Sequence, residues 1–298
     1  MEWRGRRGSS NIEDRRADGG SDTTTGGMGR RRSAGATGSV GGLGIVAVVV
    51  IAYFFGVDLT PLLNGTDMSG TSTTRAPAEL TEADTSAGEF VSVVLADTED
   101  IWTKVFRDQV GKTYHPAILV LYKGVTASPC GDASGATGPF YCPGDKKVYL
   151  DTDFFTTMAQ DLGAKGDFAM AYVVAHEIGH HVQDELGILS KANDIRGRVS
   201  ETESNAISVR IELQADCLAG IWGREVKAQF GTIEPGDFEE AVNAAKQIGD
   251  DTLQRNAGQV PMPHSFTHGT SAQRSRWFQI GLKSGQMSAC DTFSADNL

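Results

Sequence analysis

The chain has 298 residues, enough for one large domain or two small ones, and its 40% hydrophobic content is typical of a globular protein. Eight arginines and five acidic residues give residues 1–38 a net charge of +3, so the rest of the chain carries −14 of the overall −11. A folded part this acidic repels nucleic-acid phosphates, which excludes nucleic acid as an expected partner.

The first 38 residues are rich in Gly, Ser, Thr and Arg and contain little that a core could bury. We predict that they form a disordered basic segment. An uncharged apolar run of eighteen residues follows at 40–57, just long enough to span a bilayer. A cleaved signal peptide and a buried core helix are the alternatives. The long preceding segment, and four glycines in a run without a polar face, favour an uncleaved transmembrane anchor at 39–57.

The charges on either side of this run predict its orientation. Three arginines, at 30–32, precede the run, and Asp58 follows it. The positive-inside rule then predicts a single-pass protein of the cell membrane, with a cytoplasmic N-terminus and an extracytoplasmic catalytic domain. Residues 58–87, rich in Thr, Ser, Gly and Ala, are predicted to be a linker. The folded domain is predicted to cover residues 88–298.

The domain pattern is dominated by helices. Apolar residues recur at helical spacing from Phe90 to Phe106, and β-branched or aromatic runs at 117–122 and 147–151 predict strands. One of these strands could pair with an extended substrate at a sheet edge, and an ordinary structural strand is the alternative. Many helices with a small sheet indicate an α+β domain. The other predicted helices are 153–162, 168–187, 200–230, 236–255 and 270–282.

Four cysteines in a domain predicted outside the cell suggest disulfides. They allow three pairings. Cys130 and Cys142 would close a short Gly-rich loop most easily, and Cys217 and Cys290 would then tie the 200–230 helix to the C-terminal tail. Zinc binding by these cysteines is an alternative, although no CxxC pair is present. Free buried thiols are another.

Residues 168–187 read FAMAYVVAHEIGHHVQDELG and contain an HExxH motif. His176 and His180 lie at i and i+4, on one face of a helix, where they can share one metal ion. Glu177 is placed to act as general base on a metal-bound water. The uncharged residues 169–175 predict a buried helix, in which these polar side chains need a partner such as zinc. A solvated helix face is the alternative.

A catalytic zinc usually has three protein ligands and a water. His181 lies about 100° around the helix from His180 and is a poor ligand for the same ion. Glu212 and Asp216 lie at i and i+4 in an apolar helical stretch, hence on one face. In the simplest interpretation Glu212 is the third ligand and Asp216 orients a ligand histidine. A solvated acid pair on a surface helix is the alternative.

The segments HEIGHH, ELQADCLAG and SFTHGTSAQRSRWF, in this order, resemble the bacterial putative neutral zinc metallopeptidase family. That family is similar in pattern to the gluzincins, and the resemblance covers most of the chain. It implies a zincin-like metallopeptidase domain with one Zn²⁺ per chain. It also implies His176, His180 and Glu212 as the zinc ligands and Glu177 as the catalytic acid and base.

Further polar residues lie near the last predicted helix. Either His264 or His268 could donate a hydrogen bond to the oxyanion of a tetrahedral intermediate. The resemblance favours His268, which lies within the FTHG segment, and a structural role is the alternative for both. Arg274 or Arg276 could pair with Asp216 and hold it in place. Of the two arginines we favour Arg274.

These observations predict a membrane-anchored zinc peptidase that acts on protein or peptide substrates. One alternative is a non-catalytic anchored module that binds a partner or holds a structural zinc. Another is a zinc hydrolase of a non-peptide amide or ester. Only three good ligands are visible, which favours an open catalytic site over a closed structural one. The sequence leaves the natural substrate and the oligomeric state open.

Overall fold

A computed structural model describes residues 1–17, 80–131, 133–134 and 138–298 of the chain. The predicted anchor at 39–57 and most of the predicted linker lie outside the described residues, so both stay predictions. In the part that is described, no helix combines the length and the apolar character needed to cross a membrane.

A four-stranded sheet has the order β1 (Ile12–Asp14), β2 (Ile118–Tyr122), β6 (Lys147–Asp151) and β5 (Phe140–Cys142). The β1–β2 and β2–β6 pairs are parallel, and β5 runs antiparallel to β6. A separate antiparallel ribbon consists of β3 (Val125–Thr126) and β4 (Ala133–Ser134).

The two predicted strands are confirmed as β2 and β6, but they take the inner positions of the sheet. Strand β1 covers the outer side of β2, and β5 covers the outer side of β6. These outer strands pair with residues 119–121 of β2 and with residues 147–149 of β6. The sheet order favours the alternative, an ordinary structural strand, because neighbours from elsewhere in the chain already pair with three residues of each.

Residues 1–17, here called the N-terminal arm, pack onto the rest of the protein. Met1 is 4% exposed and Arg16 is 7% exposed. The predicted disorder is therefore wrong for residues 1–17, while 18–38 lie outside the described residues. The arm has no apolar core of its own, which is why its composition resembles that of a disordered segment. Its charged groups pair instead with acidic residues of the domain, which a local count of apolar residues does not register.

In the described part, eight α-helices pack against the sheet and against one another. The helix-dominated α+β prediction is therefore confirmed. The first helix begins after a capping box at Thr81, so the folded part starts before the predicted boundary at Gly88. The helices are α1 (Glu82–Val105), α2 (Asp153–Gln160), α3 (Asp167–Glu185), α4 (Ile188–Arg196), α5 (Glu201–Gln229), α6 (Asp237–Gln247), α7 (Asp250–Asn256) and α8 (Ser271–Ser284).

The predicted helix at 236–255 is two helices, α6 and α7, with a break at Ile248 and Gly249. Glycine weakens a helix interior because it loses the most backbone freedom on folding. The break lets the carboxylate of Asp250 accept hydrogen bonds from the backbone N–H groups of Thr267, His268 and Gly269. In one continuous helix, Asp250 would not accept these hydrogen bonds, and the loop that precedes α8 would lose them.

Helix α3 lies in the centre of the core, which confirms the predicted buried helix. Ala171, Tyr172 and Ala175 are 0% exposed. Phe168 stacks on Trp222 of α5 with ring centroids 5.7 Å apart. Burial of such large apolar side chains contributes about 1.5–3 kcal/mol each, so α3 is held in place on several sides.

Helices α5 and α8 pack with their backbones in contact. A Cβ atom on Gly281 would lie 1.8 Å from the carbonyl oxygen of Cys217, so only glycine fits there. The Cys217–Cys290 disulfide joins the same helix to the C-terminal tail, and Cys130–Cys142 forms the second disulfide, which confirms the predicted pairing. This close crossing brings residues of α8 within hydrogen-bonding reach of α5.

Candidate metal centre

The structure brings together the three predicted ligands, His176 and His180 from α3 and Glu212 from α5. The Nε2 atom of His176 lies 3.1 Å from Oε2 of Glu212, and Nε2 of His180 lies 3.6 Å from Oε1. Zinc bonds of about 2.0–2.1 Å in a tetrahedral site place neighbouring ligand atoms about 3.4 Å apart. The donor set of two imidazoles and a carboxylate therefore fits one zinc ion in both chemistry and spacing.

A glycine inside the motif permits this approach of α3 to α5. A Cβ atom on Gly179 would lie 3.1 Å from the carbonyl oxygen of Ala215 and 3.2 Å from its Cα. Ala215 follows Glu212 by one turn of α5. The residue directly before His180 is thus small, where a larger one would push the third ligand away from the histidines.

The charges around the cluster favour a cation. Burial alone would lower the pKa of His176, but the carboxylates of Asp216 and Glu212 outweigh it and raise the pKa to about 10. Asp216 and Glu212, which stabilise a proton on the imidazole of His176, would also stabilise a divalent cation bound to that imidazole. A metal ion would replace that proton, because a ligand histidine binds as the neutral imidazole.

Asp216 hydrogen-bonds to His176, the first of the predicted ligands. The Nδ1–H group of His176 donates to Oδ1 of Asp216 over 2.9 Å, which directs Nε2 towards the cluster. Arg274 of α8 donates to both carboxylate oxygens, over 2.9 and 3.0 Å, and the hydroxyl of Tyr172 donates to Oδ1 as well. Asp216 is 0% exposed and Arg274 is 2% exposed.

The protonation state of the buried Asp216 depends on its partners. Burial would raise the pKa of Asp216, but Arg274 and His176 outweigh burial and hold the pKa below its usual range. Asp216 is therefore ionised and accepts hydrogen bonds. Arg276, the alternative partner in the sequence, is exposed and donates to the backbone oxygen of Leu298 instead.

The second ligand has an orienting group that the sequence analysis missed. The Nδ1–H group of His180 donates to Oε1 of Gln183 over 2.9 Å. Gln183, which is 0% exposed, donates in turn to the carbonyl oxygen of Ile211 and to Gln214. Gln214 then donates to the carbonyl oxygen of Cys290. A glutamine at i+3 from a ligand histidine was the available signal, because i+3 residues share a helix face.

We expect Gln183→Leu to weaken zinc binding by about 10–100-fold, the usual effect of losing an orienting partner of a ligand histidine. Leucine keeps the size of the side chain but cannot accept the Nδ1–H bond. The measurement is a competition titration against a chelator, well below the unfolding temperature. Gln229→Leu, on an exposed part of α5, is the control. Equal zinc affinity in both variants would contradict the assigned role.

Glu177 lies beside the cluster and is 8% exposed. In the described part of the chain its carboxylate has no hydrogen-bond or ion-pair partner. The adjacent ligand His176 and the i+3 ligand His180 share the same stretch of α3, so the carboxylate lies within one turn of both. Its oxygens are therefore available to accept a proton from a water or a substrate group at the cluster.

Of the two histidines that precede α8, the structure places His268 near the cluster. Its Nδ1–H group donates to Asp250 over 3.2 Å, and its side chain is 26% exposed. Burial would lower the pKa of His268, but the carboxylates of Glu212 and Asp250 outweigh burial and raise it. His264 is exposed, and its backbone carbonyl accepts a hydrogen bond from Asn205.

His181 faces away from the cluster, as its position on the helix predicts. Its Nε2–H group donates to the carbonyl oxygen of His115 over 2.7 Å, and Nδ1 lies 3.3 Å from the hydroxyl of Tyr141. Burial lowers the pKa of His181, so the neutral form is favoured. His181 is therefore a satisfied core histidine and joins α3 to the segment that leads into β2.

The chain is similar to several known proteins. The sequence profile of the family described as putative neutral zinc metallopeptidase matches residues 1–293. The uncharacterized protein YpfJ of Escherichia coli K12 is 47% identical over 293 residues, which cover 98% of this chain and 99% of that protein. The uncharacterized protein Rv2575 of Mycobacterium tuberculosis H37Rv is 43% identical over 188 residues, covering 60% of this chain and 62% of that protein. No solved structure matches the chain.

Proposed function

The chain belongs to the putative neutral zinc metallopeptidase family, and from this membership and the geometry of the cluster we propose that it is a zinc-dependent peptidase. The observation that carries the proposal is the convergence of two imidazoles and one carboxylate next to the buried Glu177. His176, His180 and Glu212 would hold the ion. The proposed substrate is a protein or peptide, because the family description names a peptidase.

Zinc bound here would supply Lewis acidity to the scissile carbonyl. The protein's own groups would handle the protons. Glu177 would accept a proton from the attacking water and pass it to the leaving amine, as a general base and then a general acid. Asp216 and Gln183 would keep the ligand imidazoles in the tautomers that leave Nε2 free.

His268 is the proposed donor to the developing oxyanion. Its Nδ1 is held by Asp250, so Nε2 is the nitrogen left to face a substrate. The carboxylate of Asp250 beside Nδ1 stabilises a protonated ring, which can donate from Nε2. A donor of this kind contributes roughly 2.7–4 kcal/mol to transition-state stabilisation in a protease.

A closed structural zinc site would need a fourth protein ligand. Among the described residues, only three His, Cys, Asp or Glu side chains converge at this point, and all four cysteines are in disulfides. This supports an open position for substrate. It favours the peptidase over the non-catalytic module considered from the sequence.

The proposed location is the extracytoplasmic side of the cell membrane. Two disulfides support it, because disulfides form and persist in oxidising compartments. Contact of the apolar run at 40–57 with the membrane is part of the proposal and rests on the apolar character of that run alone.

The test is the zinc content of the full chain and of its Glu212→Ala variant. We expect about one zinc per chain in the parent, as in a mononuclear catalytic site, and loss of most of it in the variant. Chelation of the parent should abolish hydrolysis of a peptide library, and added zinc should restore it. Glu201→Ala, at the exposed start of the same helix, is the control. Full zinc retention in Glu212→Ala would show that the third ligand is elsewhere.

A further inference from the structure

The N-terminal arm begins at the base of the metal-binding helix. The α-ammonium group of Met1 lies 2.6 Å from Asp167, the first residue of α3, and 3.2 Å from Asp237, the first residue of α6. Glu234 lies 2.9 Å from the same ammonium. An acidic residue at the N-terminus of a helix interacts favourably with the helix dipole. Here the ammonium of Met1 also offsets the repulsion between the carboxylates of Asp167 and Asp237. The arm thus bridges the starts of two helices.

The middle of the arm follows α1. Arg6 donates to both carboxylate oxygens of Asp97, each over 2.7 Å, and Asp97 is 3% exposed. The guanidinium of Arg6 also lies 4.6 Å from the ring centroid of Phe230. A bidentate pair at a buried acid is strong, and an arm detached from the domain would lose this pair.

The end of the arm is the outer strand of the sheet. Ile12 pairs with Leu119 and Asp14 with Leu121, in a parallel ladder. Lys147 of β6 reaches Glu13 over 2.6 Å, so the arm contacts the second strand as well. Without β1, the edge of β2 would expose unpaired backbone groups of a strand that is buried on both sides. The family profile matches from residue 1, so it includes the whole arm.

From these three sets of contacts we infer that the N-terminal arm lies on the same side of the cell membrane as the metal centre. Strand pairing, a buried ion pair and a helix-terminal ammonium all require the two parts to share one compartment. A single crossing between residues 17 and 80 would separate β1 from β2. The inference therefore replaces the opposite-sides arrangement that the charges around residues 40–57 predict. It rests on packing and not on the proposed catalytic activity.

The test uses single cysteines in the full chain, expressed in a bacterial host and probed with a membrane-impermeant maleimide. Ser10→Cys reports on an exposed part of the arm, and Lys283→Cys reports on an exposed part of α8. The parent chain is the control for background, because its four cysteines are in disulfides. Labelling is compared between intact spheroplasts and lysed spheroplasts.

We expect both cysteines to be labelled in intact spheroplasts, and the labelled fraction of each to be about the same as after lysis. Labelling of both only after lysis would still support the shared side, but would contradict the extracytoplasmic location proposed above. Labelling of one position in intact spheroplasts, with protection of the other until lysis, would overturn the inference. In that case a single crossing would separate the arm from the domain.

Discussion

Replacement of Glu177 by Gln is expected to leave one zinc ion bound and to lower peptide hydrolysis by about 10²–10⁴-fold, the usual contribution of a general acid–base group. Glutamine keeps the shape of the side chain but cannot accept a proton from water. The ligand atoms of His176, His180 and Glu212 are untouched, so zinc affinity should be nearly that of the parent. The measurements are kcat on a cleaved library peptide and zinc content of the same sample.

The matched control for this change is Glu185→Gln. Glu185 lies on the same helix, but its carboxylate pairs with His115 and Lys146, away from the cluster. This control should keep nearly full activity. Parental activity in Glu177→Gln would contradict the assignment of Glu177 as the base. Loss of zinc in that variant would show instead that Glu177 supports the ligands.

Replacement of Arg274 by Met is expected to destabilise the protein by about 3–5 kcal/mol, the cost of breaking a buried ion pair on one side. Methionine fills much of the space but leaves Asp216, at 0% exposure, without its main counter-charge. For a domain of this size such a loss lowers the midpoint of thermal unfolding by roughly 10 °C. The measurement is thermal unfolding without added metal.

Arg276→Met is the control for this change, because Arg276 lies two residues away on the same helix with an exposed side chain. Its effect should stay within about 0.5 kcal/mol, as for most surface substitutions. Equal unfolding midpoints for the two variants would contradict the role of Arg274. A second readout is zinc affinity, which should fall in Arg274→Met because His176 loses a firmly held partner.

Helical spacing explains why much of the cluster was predictable. His176 and His180 must share a face of any helix that contains them, and so must Glu212 and Asp216. The uncharged residues before His176 indicated burial, and the structure confirms it. Pattern and composition act locally, so these features are independent of how the helices cross.

The positions of the partners depended on contacts between distant segments. The close approach at Gly179 sets the distance from Glu212 to the histidines, and the crossing at Gly281 selects Arg274 over Arg276 as the partner of Asp216. The break before Asp250 places His268, not His264, beside the cluster. Each outcome depends on the angle and separation of two helices, which local spacing does not contain.

The sequence by itself determined the motif, the helix-dominated class and two strands of the sheet, and it favoured the pairing of the cysteines that the structure contains. Only the tertiary structure showed that the N-terminal arm is part of the fold. The arm is held by Arg6 on Asp97 and by Ile12 beside Leu119, pairs that lie 91 and about 107 residues apart in the chain. A charged segment looks disordered when its composition is considered alone. It becomes ordered because its partners lie in the domain, and only the folded chain brings them together.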